Sequence, residues 1–133
     1  MKCIIELTQF NIINSKGKQQ FKRFLKKYLI NTYKRIIINN RKWIDQKLKL
    51  LGVTALDLYR NMDNFISIIT YNGGIIVSFE KNVYINGLPM LGVIKCLDFG
   101  SSVTGTPYPL FTPILKALKR NIDQIYMRFI GLK

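Results

Sequence analysis

The residues best placed to do chemistry in this chain are cationic. Arg23, Lys27, Lys34 and Arg41 recur at steps of four, seven and seven, a spacing that puts them on one stripe of a helix. Such a ridge suits contact with duplex phosphates or with an acidic protein surface. Read blandly, it is the solvated face of an amphipathic helix. Phe21, Leu25, Tyr28, Ile36 and Trp43 fall roughly opposite the stripe. That segregation argues against a surface on which single-stranded bases stack.

The acids offer less. Glu6, Asp45, Asp57, Asp63, Glu80, Asp98 and Asp123 are scattered singly, and the chain has no histidine. Metal-assisted hydrolysis and glycoside cleavage need converging carboxylates, and histidine is the commonest general base and metal ligand. Ser101, Ser102 and Cys96 have no sequence neighbour that would activate them as nucleophiles. Gly73-Gly74 lacks the Gly-Lys-Ser/Thr ending of a phosphate-binding loop. The sequence therefore predicts no enzyme: no catalytic residues, no metal, no cofactor.

Composition points the same way. Lys and Arg number 21 against 7 Asp and Glu, for a formal charge of +14, and residues 1–60 hold 14 of the bases with three of the acids. Such imbalance favours polyanionic or acidic partners and makes like subunits repel. Hydrophobic residues reach 48%, too many for a disordered basic tail. One domain spanning 1–133 is expected. Cys3 and Cys96 lie far apart, without metal-site or C-x-x-C spacing. They read as buried or half-buried thiols in a reducing compartment, although the sequence leaves their pairing open. Charge interrupts the N-terminus before a signal-peptide core forms, and no stretch approaches the roughly 20 apolar residues of a membrane span. The expectation is a soluble protein that is not secreted and has no membrane partner.

The elements that must position these residues follow from hydrophobic period. Residues 2–13 are ambiguous between a strand and a helix start, and Asn14-Ser15-Lys16-Gly17 reads as a break. From Lys18 to about Leu51 no Gly or Pro occurs. Phe21, Leu25, Tyr28/Leu29, Tyr33, Ile36/Ile37, Trp43 and Leu48 form one apolar stripe, predicting a long helix that Gly52 ends. Ile36-Ile37-Ile38-Asn39-Asn40 is a candidate bend or interruption. Residues 53–64 read as a loop or a short helix. Phe65–Tyr71 and Ile75–Phe79, flanking Asn72-Gly73-Gly74, predict an antiparallel hairpin. Residues 84–99 are apolar and helix-compatible after Pro89, with room for a strand, and 100–109 is a loop. Thr112 as N-cap and Pro113 at the first helical position open a C-terminal helix. Its core side is Phe111, Ile114/Leu115, Leu118, Ile122, Ile125/Tyr126 and Phe129. None of these elements buries its apolar face alone, so the predicted fold is α+β, with long N-terminal and C-terminal helices packed on a small antiparallel sheet.

One segment carries a resemblance. Leu97-Asp98-Phe99-Gly100-Ser101, a polar loop, Pro107-Tyr108-Pro109-Leu110-Phe111, then Pro113 and a long helix, is similar to the C-terminal signature of the neck, or tail-completion, proteins of tailed bacteriophages. The order of elements matches as well. Ser101 stands where Thr is usual, Ile114 where Ala is usual, and Pro107-x-Pro109 is tighter than the family pattern. Asn61-Met62-Asp63-Asn64 replaces a turn of small residues. The resemblance implies a structural virion protein that joins head to tail as a homo-oligomeric ring of roughly six or twelve copies. It also implies portal, adaptor or tail proteins as neighbours, genomic DNA in the lumen, and host cytoplasm as the site of assembly. Leu97, Asp98, Phe99, Gly100, Ser101, Pro107, Pro109, Phe111 and Pro113 would form its interface loop. Independently of the family, Gly100 is expected in a conformation closed to other residues, and the prolines stiffen the loop. The alternative function is a basic accessory protein that binds duplex DNA through its long helix.

Overall fold

The computed structural model describes residues 2–131. Asn14 initiates the first helix: its backbone is extended and its side chain accepts the Gly17 N–H at 2.8 Å. The segment expected to be a break is thus the helix start, and α1 spans Ser15–Asn39. Phe21, Leu25, Leu29, Tyr33 and Ile37 are fully buried along it, as the apolar period requires.

The single helix expected to reach Leu51 is interrupted. At Asn40 the side chain donates to the Ile36 carbonyl at 2.8 Å, and the backbone leaves helical geometry at φ −113°, ψ 20°. A run of three β-branched isoleucines followed by two asparagines is poor helix material. A second helix, α2 (Arg41–Lys47), and a 3₁₀ turn at Lys49–Leu51 follow. Gly52 ends them with φ +69°, in the left-handed conformation the sequence suggested.

Helix α3 (Ala55–Phe65) resolves the loop-or-helix segment. Thr54 and Asp57 bond each other's backbone N–H reciprocally, a capping box. The Ala55 N–H is taken by Asp45 from α2 at 2.7 Å.

Strand β1 (Lys2–Glu6) settles the ambiguous N-terminus. With β2 (Ile66–Tyr71) and β3 (Gly74–Phe79) it forms an antiparallel sheet in the order β1-β3-β2. The hairpin closes on Asn72-Gly73, with Tyr71 opposite Gly74. Ile5, Ile68, Ile75, Val77 and Phe79 are buried on the inner face.

A small second hairpin, β4 (Tyr84–Ile85) and β5 (Leu88–Pro89), turns on Asn86-Gly87, both at positive φ. Helix α4 (Met90–Phe99) follows directly, and α5 (Thr112–Gly131) closes the described chain. Phe10, Phe21, Phe24, Tyr126 and Phe129 pack ring against ring, at centroid distances of 5.2–6.4 Å, and lock α5 to the start of α1. The fold is α+β, with long N-terminal and C-terminal helices on a small antiparallel sheet. No helix among the described residues is long and apolar enough to cross a membrane.

Candidate functional site

Asp98 lies at the end of α4, 2% exposed, and its carboxylate organises everything that follows. Oδ1 accepts the backbone N–H groups of Leu110 at 2.8 Å and Phe111 at 3.0 Å, and Oδ2 accepts that of Thr112 at 2.8 Å. Thr112 opens α5, where the first helical N–H groups lack partners in their own helix, and Leu110 and Phe111 lead into it. Thr112, expected as the N-cap, is the first residue of α5, and its own N–H is accepted by Asp98, carried in from another helix. A buried carboxylate satisfies three donors at once and adds a charge at the favourable end of the helix dipole, which one hydroxyl does not.

Tyr33, from α1, completes the anchor. Its hydroxyl donates to the Phe111 carbonyl at 2.9 Å, and its ring stacks on that of Phe111 at 5.6 Å. Burial, reinforced by the Asp98 charge and then by Cys3, pushes the Tyr33 phenol well above its ordinary value.

Gly100 follows Asp98 and Phe99 at φ +80°, ψ 164°, a region open essentially to glycine alone. A Cβ there would lie 2.7 Å from the Gly105 carbonyl oxygen and 3.0 Å from Pro107. The sequence-based expectation for Gly100 holds.

The loop after Gly100 is built rather than open. Ser101 and Gly105 exchange backbone hydrogen bonds at 3.2 and 2.8 Å, and Ser101 Oγ accepts the N–H groups of Val103 and Thr104. Thr104, 4% exposed, donates its hydroxyl to the Cys96 carbonyl at 3.0 Å. The Ser101 hydroxyl must then be the donor in its 2.8 Å bond with Thr104 Oγ1. Tyr108 donates its N–H to Leu97 O at 3.0 Å and sets its ring 4.6 Å from Trp43 of α2, with Lys47 Nζ 5.7 Å from the Trp43 ring centre.

The signature residues therefore divide by role. Leu97, Asp98 and Phe111 are buried and hold the loop, whereas Gly100 and Ser101 shape it. Phe99, Pro107, Pro109 and Pro113 face outward. Phe99 is 60% exposed, and Val103 and Tyr108 join it as outward apolar groups on the same loop. Thr104, Tyr33 and the Trp43–Tyr108 pair were not singled out by sequence reasoning as parts of the loop. Tyr33 was legible only as a core position, and nothing local marks Thr104.

The cationic stripe is not continuous. Arg23 and Lys27 are exposed on α1, but Arg41 opens α2 beyond the Asn40 interruption and shares no helix with them. Lys34 is half-buried; its Nζ bonds Asp63 Oδ2 at 3.2 Å and lies 4.8 Å from the Tyr59 ring centre. The four-residue ridge expected on one helix is corrected to two free cations, one paired cation and one on a neighbouring element.

Cys3 and Cys96 are both free thiols and partly buried. Burial raises the Cys3 thiol above its ordinary value, and the Lys119 charge offsets part of that. Among the described residues, no three His, Cys, Asp or Glu side chains are grouped as metal ligands. No protein-family model, no curated protein and no solved structure matches the chain.

Proposed function

We propose that this protein is a structural connector subunit, a ring component of a phage neck that joins portal or head to tail. One observation carries the reading. The segment resembling the neck signature folds as a stiff outward platform, pinned by three N–H bonds to buried Asp98 and by Tyr33 on Phe111. Phe99, Val103 and Tyr108 are left exposed upon it. A loop with most of its backbone donors satisfied internally loses little entropy when it docks, which favours a repeated interface between subunits. In a cyclic ring this platform meets a different face of the next copy. The experiment is native mass spectrometry of the full chain, alone and with the portal-side and tail-side proteins encoded beside it. A closed oligomer is expected, and a protein that stays monomeric throughout overturns the reading.

A second reading, binding of duplex DNA, keeps one observation in its favour: Arg23 and Lys27 stand exposed on α1 of a +14 chain. The Asp63 partner of Lys34 weakens it. Salt dependence of duplex binding separates the two.

A further inference from the structure

Strand β1 is an edge strand, and the phase of its ladder shows which backbone groups it leaves open. The Leu7 N–H donates to the Gly73 carbonyl at 2.8 Å, and Ile5 and Cys3 pair with Ile75 and Val77 of β3. In an antiparallel ladder this alternation turns the backbone groups of Ile4 and Glu6 to the other side. No backbone or side-chain group among the described residues bonds them there.

A groove of about 360 Å³ runs along that flank, lined by Ile4, Ile5, Glu6 and Lys119 of α5. Ile4 and Ile5 point to opposite faces of one strand, so a groove touching both lies at the edge of the sheet. Ile4 is 57% exposed and begins an apolar row, Ile4–Ile76–Ile69, that the register carries across the open face of the sheet. A strand added beside β1 would extend both the ladder and the row.

Charge selects the occupant. Lys2 lies in the strand itself, while Lys119, Lys116 and Arg120 are exposed on α5 beside the groove, against Glu6 in its lining and Asp123 one turn along α5 from Lys119. A second copy paired edge to edge through the same strand would set this local basic cluster against itself. The other edge, β2, differs: its flanking groove mixes Lys22 and Lys26 with Asp63 and Glu80. We infer that the outer edge of β1 receives an extended, acidic segment of another protein by strand addition. This site is separate from the Gly100–Pro109 platform and does not depend on ring formation.

The test is amide-resolved hydrogen exchange on the full chain, with an alternating valine–glutamate decapeptide as probe and a valine–lysine decapeptide as control. With the acidic peptide at about ten times its Kd, exchange at the Ile4 and Glu6 amides should slow about tenfold. The Ile5 amide, already bonded to β3, should change little. Lys119→Glu, at an exposed position, should weaken the preference for the acidic peptide. Unchanged exchange at Ile4 and Glu6, or equal protection by both peptides, overturns the proposal. Protection that grows with protein concentration in the absence of peptide assigns the edge to a second copy and overturns the acidic occupant.

Discussion

Asp98 accepts the backbone N–H of Phe111 at 3.0 Å, while the carbonyl of the same residue accepts the Tyr33 hydroxyl at 2.9 Å. Side chains from α4 and α1 thus hold both polar groups of Phe111, in a setting where Asp98 and Phe111 are almost fully buried. The start of α5 is fixed relative to the rest of the fold by this pair, and with it the far end of the exposed loop.

Replacing Asp98 by Ala leaves three backbone donors at the start of α5 without their acceptor. A fully buried donor left unsatisfied costs on the order of 1 kcal/mol or more, and of the three only the Phe111 N–H is fully buried, so a loss of roughly 1 to 3 kcal/mol is expected. Asp98→Asn retains an acceptor and should lose less. Denaturant titration of both variants reads the difference; an unchanged midpoint for Asp98→Ala contradicts the anchoring role.

Part of this arrangement was legible in the sequence. Hydrophobic period located the buried face of α1 at Phe21, Leu25, Leu29 and Tyr33, and Asn72-Gly73 gave the main hairpin, because both signals are local. Asn86-Gly87 is an equally local hairpin signal, and it was hidden by strands of only two residues each. Asn14 reads as a break in sequence because a cap and a loop use the same residue types. The Asp98 anchor was out of reach for a different reason: its partners lie 12 to 14 residues away, and only the packing of α4 on α5 brings them together. Likewise, the stripe at Arg23, Lys27, Lys34 and Arg41 assumed an unbroken helix, and the Asn40 side chain bonding back to Ile36 breaks it.

At Gly100 any side chain must both adopt φ +80° and displace the Gly105 carbonyl. Gly100→Val should cost about 1 to 3 kcal/mol through backbone strain and redirect the loop toward Pro109. Thermal melting together with assembly measurements tests this. Unaltered melting with normal assembly rules it out.

Tyr33 sets a pH limit. Its phenol holds its proton to a higher pH in the fold than in the unfolded chain. Above the ordinary tyrosine value of about 10 the folded state therefore binds more protons, and stability falls as pH rises from there. Tyr33→Phe should remove that tyrosine's contribution to the alkaline loss, while costing about 1 to 2 kcal/mol at neutral pH because the Phe111 carbonyl loses its donor. Stability measured between neutral and strongly alkaline pH should show the two curves converging; parallel curves contradict the assignment.

If Arg23 and Lys27 touch duplex phosphates only in passing, isolated subunits should bind DNA weakly. The slope of log affinity against log salt should then correspond to about two contacts, near 0.9 for each. Arg23→Glu with Lys27→Glu should abolish what binding there is, and Arg41→Glu should matter less. Tight binding by the monomer at physiological salt, lost in the double variant, would establish the DNA-binding reading instead.

The central claim is that the exposed loop is an assembly surface, and oligomeric mass tests it most directly. Native mass spectrometry should compare the wild-type chain with Phe99→Ser/Val103→Ser, both positions being exposed and so expected to leave melting unchanged. For the wild type, alone or with its portal-side and tail-side neighbours, a closed ring of roughly six or twelve copies is expected. The double variant should remain monomeric while keeping its melting temperature. A wild-type chain that is monomeric in every mixture, or a double variant that assembles as well as the wild type, contradicts the account.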